Sequence, residues 1–512
     1  MNRNRRLDGF PNGMGPVRSS GAFTCLVLAG AAICAWPARP ATAQPSVAQT
    51  KQLKSFGAPI TASPADPAIA HALAEVSAAH IRQTISTLVD FHTRNTLSSM
   101  DTDLPPNTGA TAAAKWIAQQ FSAISQACNG CLEVKTDTFT EAGDTGPHSR
   151  IKVPTTITNV YAIMRGSESA QASRMYLVTG HYDSINSHVF RNWADTSGDA
   201  PGANDDASGV AVSIECARVL SRHRWPATLV FVAVAGEEQG LIGSSHLAKL
   251  AKEQGWQLAG VLNNDIVGGD TTPGDAIQDK ARVRVFSQGI PTTATPEEIK
   301  HALSLGLESD GPSRELARTI ASVARTYFRA GAFRPVLEFR LDRYLRGGDH
   351  FSFNQQGFAA VRFTEWRENF DHQHQDVRVE SGKQYGDLLK FVDFNYVANV
   401  ARLNAAALAT LASAPPAPEE VRIVTANLDN NSTLRWKPGP GMPADAHFDI
   451  VWRETSAPDW QFHHPVPPAD TANSAGLVSA TLPVSKDNVI FGVRACNRAV
   501  QCSPAVAPLP ER

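Results

Sequence analysis

Five continuous apolar runs constrain this chain more than any other feature. They are TNVYAIMRG (158–166), RMYLVTGHYDS (174–184), ATLVFVAVAGEE (227–238), LAGVLNNDIVGG (258–269) and FAAVRFTEW (358–366). A strand with one wet face alternates polar and apolar residues, whereas runs like these bury both faces and suit the interior of a parallel sheet. Segments with helical spacing surround them: HALAEVSAAHIRQTISTLVDFH and TAAAKWIAQQFSAIS before, VAVSIECARVLSRH and LIGSSHLAKLAKEQG in the gaps. The expected fold class is α/β, with a mixed, largely parallel sheet between helices.

The chain has 512 residues, enough for two to four units at roughly 150 residues per domain. Arg3, Arg5, Arg6 and Arg18 precede the short apolar run GAFTCLVLAGAAICAW, and Ala41-Thr42-Ala43 follows with the small residues a signal peptidase needs. Residues 1–43 therefore read as a cleavable signal peptide, and the mature protein is expected to be exported, secreted or periplasmic, without a transmembrane anchor. Export permits disulfides. Cys128 with Cys131, and Cys496 with Cys502, read as two local disulfides, while Cys216 lies in an apolar helical pattern as a buried thiol. A formal net charge of −2 gives no electrostatic footprint for nucleic acid or anionic membrane.

Residues 62–414 are expected to form the α/β domain. Within it, about 270–345 is Gly/Thr/Pro-rich around one helix, SRELARTIASVARTYF, and reads as an insertion or lid over the site. A Pro/Ala-rich linker, LASAPPAPEEV, then leads to short strand patterns over 415–512: TLRWKP, FDIVWRET, VSATLPV and NVIFGVRACN. These suggest a small β-sandwich. Trp436, Phe448 and Trp452, with the later alternation of Ile490, Gly492 and Arg494, resemble a fibronectin type III domain.

The chemistry gathers where apolar runs end. GHYDS ends in His181 and Asp183, GANDDASG carries Asp205 and Asp206, AGEE ends in Glu237 and Glu238, NNDIVG carries Asp265, and FDHQHQD carries His372, His374 and Asp376. Each alone has a bland reading: a satisfied pair, a solvated helix start, a polar loop. Paired aspartates before a helix suit an N-cap and the helix dipole. Sites in open α/β sheets nonetheless assemble at the carboxyl ends of strands, and five such ends carrying His, Asp or Glu in one chain make a constellation.

In this order the motifs are similar to those of peptidase family M28, chiefly its di-zinc aminopeptidases, across about residues 75–410. The resemblance implies two zinc ions sharing Asp205, one completed by His181 and Asp265, the other by Glu238 and His372. Imidazole and carboxylate are the ligands zinc takes. It also implies that Asp183 orients His181, that Glu237 is the general base, and that a cis peptide joins Asp205 to Asp206. His372 keeps the family's four-residue spacing to Asp376, with His374 open as the alternative. Asp349 and His350, in RGGDHFSF, resemble a family segment near the substrate and are expected to form the pocket.

The implied activity is removal of the N-terminal residue of peptide substrates. A single-zinc glutaminyl cyclase shares this implied fold, but such proteins carry serine after the key aspartate where this chain has Asp206. A carboxypeptidase would need a basic pocket, which Arg343, Arg346, Arg362 and Arg367 could supply. A non-enzymatic binding protein on a peptidase scaffold would have lost ligands or the base. No candidate catalytic residue lies beyond residue 414, so the C-terminal unit is expected to be dispensable for small substrates and free to bind a surface or polymer.

Overall fold

Both faces of the apolar runs are buried, and each face has its own helices. The computed structural model describes residues 56–146, 149–272, 275–426, 428–467 and 476–512; the expected signal segment 1–43 lies outside them. The strands of the main sheet are β2 (Glu133–Glu141), β3 (Thr155–Met164), β4 (Arg174–His181), β5 (Thr228–Val234), β6 (Gln257–Asn264), β7 (Arg282–Ser287), β8 (Arg334–Glu338) and β9 (Ala360–Glu365). They pair in the order β2-β3-β5-β4-β6-β9-β7-β8. The central strands β5, β4, β6 and β9 are mutually parallel, while β2, β3 and β7 run antiparallel to their inner neighbours. The sheet is thus mixed, with the parallel portion in the middle.

β5 shows why a continuous run is needed. Leu229, Phe231 and Ala233 face one core together with helices α3 (Ala110–Ala127), α4 (Ala207–Leu220) and α9 (Phe394–Ser413). Val230, Val232 and Val234 face the other, with α5 (Ile242–Glu253) and α8 (His350–Gln355). Two glycines let the first turn of α4 lie against the sheet: a Cβ on Gly209 would come within 2.0 Å of the Asn264 carbonyl oxygen, and one on Gly180 within 2.5 Å of the Gly209 backbone. This approach places Asp205 and Asp206 over the ends of β4 and β6.

Within the segment 270–345, expected as an insertion or lid over the site, two strands extend the main sheet: β7 and β8 pair in parallel, β7 adds antiparallel to β9, and α7 (Pro312–Tyr327) covers them. In RVRVFS, arginine alternates with buried valine, the pattern of a strand near a sheet edge rather than of a loop.

Beyond residue 414 two four-stranded sheets form a sandwich. One orders β15 (Phe462–Val466), β14 (His447–Glu454) and β17 (Val489–Cys496); the other orders β16 (Val478–Leu482), β13 (Ser432–Lys437), β12 (Glu419–Val424) and β18 (Leu509–Glu511). Trp436, Trp452, Phe448, Ile450 and Phe491 fill its core. The fourth strand of the first sheet comes from the other end of the chain: β1 (Ala58–Pro59) pairs with β15.

Buried charges seal the junction between sandwich and α/β region. Arg453 of β14 reaches Asp310 at 2.7 and 2.8 Å, Arg318 of α7 contacts Asp310 at 3.2 Å and also Glu315, and the Trp460 indole donates to Glu315 at 2.9 Å. All four charged side chains are almost fully buried. Removing the sandwich would strip these partners from Asp310 and Glu315, so the two regions are joined through buried charge.

The expected disulfides, Cys128–Cys131 and Cys496–Cys502, are both formed, and Cys216 is a buried free thiol. No described helix is long and apolar enough to cross a membrane.

Candidate metal centre

β4 ends in His181, and the next two residues fix its ring. His181 Nδ1 lies 3.1 Å from the carbonyl oxygen and 3.5 Å from the carboxylate of Asp183, so Nδ1–H donates and Nε2 is left facing forward with its lone pair. The Asp183 carboxylate also accepts from the Glu237 N–H (3.3 Å), the Glu238 N–H (3.2 Å) and the Thr96 hydroxyl (3.1 Å). It thereby ties the end of β4 to the turn after β5.

The adjacent aspartates have separate jobs, and the peptide between them is cis. Asp206 turns inward and accepts from the N–H groups of His181 (3.0 Å), Gly209 (2.9 Å) and Ile266 (3.3 Å), capping α4 while joining β4 to β6. Asp205 faces two imidazoles: its Oδ1 lies 3.1 Å from His181 Nε2 and its Oδ2 2.9 Å from His374 Nε2. Glu238 Oε1 also lies 2.9 Å from His374 Nε2, and Asp265 Oδ1 lies 3.9 Å from His181 Nε2. Two donor sets result, His181–Glu237–Asp265 and Asp205–Glu238–His374, each with one donor atom per residue within 4.8 Å of the others.

The histidine expected in the second set is His372, and the structure puts His374 there instead. Residues 369–375 form a tight turn in which the Asn369 carbonyl accepts from both His372 and Gln373. His374 then takes a left-handed backbone (φ 58°), which sends its side chain back to the carboxylates. His372 points away, stacking on Phe391 (3.7 Å between ring centroids) with Nδ1 3.2 Å from Asp270. Asp376 accepts from the Ser187 N–H at 3.1 Å. The four-residue spacing misleads because it counts along the chain through a turn whose hand it does not encode.

Asp349 and His350 are fully buried rather than set on a pocket wall. His350 Nε2 lies 2.9 Å from the Leu341 carbonyl, and burial pushes its pKa down to about 4. Burial raises the Asp349 carboxyl to about 7. The exposed neighbour of the centre is Phe190, whose ring lies 6.1 Å from that of His374 and packs edge-on against Trp193.

Several supporting residues carry no signal in the sequence. Gln373 donates to Asp205 Oδ2 at 2.8 Å, and Asp387 accepts the Asn204 and Asp205 N–H groups. Buried Arg94 binds the carbonyls of Tyr182, Pro201 and Gly202, pinning the glycine-rich loop. The arginines weighed as a carboxylate pocket are all engaged. Arg343 and Arg346 pair with Glu368, Arg362 with Asp265 and Asp342, and Arg367 with Asp275.

Electrostatically the carboxylates of the centre outnumber its cationic partner, Arg362 on Asp265. Burial opposes the charged form of His181 and of His374, but the carboxylates around them outweigh it and raise both pKa values well above the ordinary range. Burial raises the Glu237 carboxyl, and Asp265, Glu238 and Asp349 add to the effect. His181 Nε2, His374 Nε2 and Glu238 Oε1 are buried without a well-formed hydrogen bond. Converging imidazole and carboxylate groups, only partly satisfied by protein donors, are the donor set a divalent cation such as zinc fits.

The model of peptidase family M28 matches residues 159–384, spanning every residue of both donor sets. A probable zinc metalloprotease of Pyrenophora tritici-repentis is 43% identical over 459 residues, covering 89% of this chain and 90% of its own. One from Leptosphaeria maculans is 42% identical over 437 residues, covering 85% and 95%. Among solved structures, the LapA aminopeptidase of Legionella pneumophila aligns with a TM-score of 0.45 at 20% identity, over 67% of this chain and 74% of its own. BSAP, a zinc aminopeptidase from Bacillus subtilis, aligns at 0.44 and 16%, over 65% and 94%. With relatives this similar over nearly its whole length, the chain belongs to peptidase family M28.

Proposed function

We propose that this protein is an exported aminopeptidase holding two zinc ions and removing the N-terminal residue of peptides. The observation that carries the reading is Asp205, whose two oxygens each face a different imidazole nitrogen that has no well-formed hydrogen bond. One carboxylate set between two donor sets suits two cations sharing it. His181, Asp265 and Asp205 would hold one ion; Glu238, His374 and Asp205 the other. When bound, zinc supplies Lewis acidity toward a substrate carbonyl and an attacking water.

The chain's own residues do the rest. Glu237, half-buried beside His181 and Asp265, takes the proton from the attacking water and returns it to the leaving amine. Asp183 keeps His181 in the tautomer that leaves Nε2 free and holds the Glu237–Glu238 turn by its N–H groups. The acidic centre suits a free α-amine, and the ion-paired state of Arg343, Arg346, Arg362 and Arg367 weighs against recognition of a terminal carboxylate.

The N-terminal Arg-rich and apolar pattern together with two local disulfides supports export. We assign the C-terminal sandwich to the fibronectin type III type, on its tryptophan and strand pattern.

The test is a set of chromogenic amino-acid substrates, free and N-acetylated, with elemental analysis of the same sample. The expected result is two zinc ions per chain and loss of most turnover on acetylation. One zinc per chain with cyclisation of N-terminal glutamine would make it a glutaminyl cyclase. Release of C-terminal residues would make it a carboxypeptidase, and zinc without turnover of any peptide would leave a binding protein.

A further inference from the structure

The two donor sets share Asp205 but differ in what stands behind their remaining carboxylate. Asp265 Oδ1, the oxygen nearest His181 Nε2, also lies 2.9 Å from Arg362 Nη2 as an ion pair. Arg362 is fully buried on β9, next to β6, and cannot be neutralised by deprotonation. Its guanidinium further contacts Asp342 Oδ2 at 3.1 Å and the carbonyls of Gly347 and Asp265. Gly348 leaves room for this packing, since a Cβ there would come within 2.7 Å of Arg362 Nη1 and 3.2 Å of Asp265 Oδ2.

The other set has no such partner. Glu238 Oε1 faces His374 alone, and the protein donor to Asp205 Oδ2 is the neutral amide of Gln373. Glu237 is the remaining acidic residue of the first set and is reserved for proton transfer. Hence one donor set has a permanent cation on its ligand carboxylate and the other has none. A fixed positive charge withdraws electron density from the oxygen it binds and repels a second cation across a short, poorly screened distance.

We propose that Arg362 is a positioning residue that makes the two zinc sites unequal: it holds Asp265 in one orientation and renders the His181–Asp265 site the weaker binder. The site that faces Glu237 would then fill second and hold the more electron-poor ion, while the Glu238–His374 site stays loaded. This rests on the two-ion reading above.

The test titrates metal-stripped protein with zinc against a chromophoric chelator and extracts two stepwise dissociation constants. Wild type should show steps at least tenfold apart. Arg362→Gln alone would take the cation from Asp342 Oδ2 and leave that buried carboxylate with Arg343 Nε on Oδ1 at 2.9 Å, so the informative variant is the double substitution Arg362→Gln with Asp342→Asn, which removes both charges. There the weaker step should tighten at least tenfold while the tighter step holds. Arg362→Lys, which keeps the charge and loses the planar fork, should retain the separation. Indistinguishable steps in wild type, a double variant that shifts both steps alike or neither, or an Arg362→Lys variant that merges the steps would each overturn the proposal. A single equivalent of zinc in wild type would instead overturn the two-ion reading itself.

Discussion

Two of the clusters of buried charge among the described residues are built oppositely. At the junction with the sandwich, every carboxylate oxygen of Asp310 and Glu315 meets a donor from Arg318, Arg453 or Trp460. At the metal centre, Asp205, Glu237, Glu238 and Asp265 converge on two histidines whose Nε2 atoms find no hydrogen-bond donor or acceptor of good geometry. Burial, acidic residues and raised pKa values occur in both; burial lifts Glu315 to about 7. What separates them is the balance of donors and acceptors. A charge cluster that satisfies itself holds structure together, whereas one left with converging lone pairs is completed by something from outside.

The strongest way to break the comparison is to withdraw that outside component. Exhaustive chelation should abolish peptidase activity, and restored zinc should recover it. Chelation should also lower the thermal midpoint, because a ligand at 100 times its dissociation constant contributes about 2.7 kcal/mol to the folded state. The junction needs no such partner, so its salt links should survive. A chelated enzyme with unchanged turnover would place the two clusters in one class.

Next in size is the separation of Glu237 from Glu238. Glu237→Gln keeps the side chain's size and removes its basic oxygen; turnover should fall by about 10²–10⁴-fold with both ions retained. Glu238→Gln should instead release one ion, since a neutral amide is a poor zinc ligand, and excess zinc should partly restore activity. Metal analysis beside kcat distinguishes them, and the opposite pattern would reverse the two roles.

Much of the metal centre is legible in the amino-acid sequence, for a physical reason. A strand end is a local event, so apolar runs stopping at His181, Asp183, Glu237, Glu238 and Asp265 mark the rim of the sheet directly. Asp205 is legible because its motif opens a helix. His374 is not, because the side on which a residue emerges from a turn depends on a backbone angle, φ 58°, that no spacing rule carries. β7 and β8 read as a lid because flanking Gly, Thr and Pro mask a short alternating strand. The pairing of Ala58 and Pro59 with β15, and of Asp310 with Arg453, joins residues hundreds of positions or a whole domain apart, and composition says nothing about such contacts.

The two histidines sharpen the comparison inside a single loop. His374→Ala removes the imidazole between Asp205 and Glu238 and should leave one ion bound, with turnover close to background. His372→Ala removes a contact to Asp270 and a stack on Phe391. It should keep both ions and cost about 1–2 kcal/mol of stability. Elemental analysis and a denaturant curve on each variant decide it. A His372 variant that loses metal while the His374 variant keeps it would return the ligand role to His372.

The smallest expected effect on turnover is at the junction, and there stability should move instead. Arg453 is almost wholly buried and supplies two contacts to Asp310, so Arg453→Met leaves a buried carboxylate with Arg318 as its remaining partner. Breaking a buried pair from one side typically costs about 3–5 kcal/mol, whereas replacing both partners with well-packed apolar groups is often close to neutral. Arg453→Met should therefore lower the denaturant midpoint strongly, and Arg453→Met with Asp310→Leu should recover most of the loss. In both, kcat of the folded fraction and zinc content should match wild type, because neither residue touches the metal centre. A fall in zinc content or kcat at constant folded fraction would mean that the sandwich acts on the site through α7, and the two clusters would then be one coupled system.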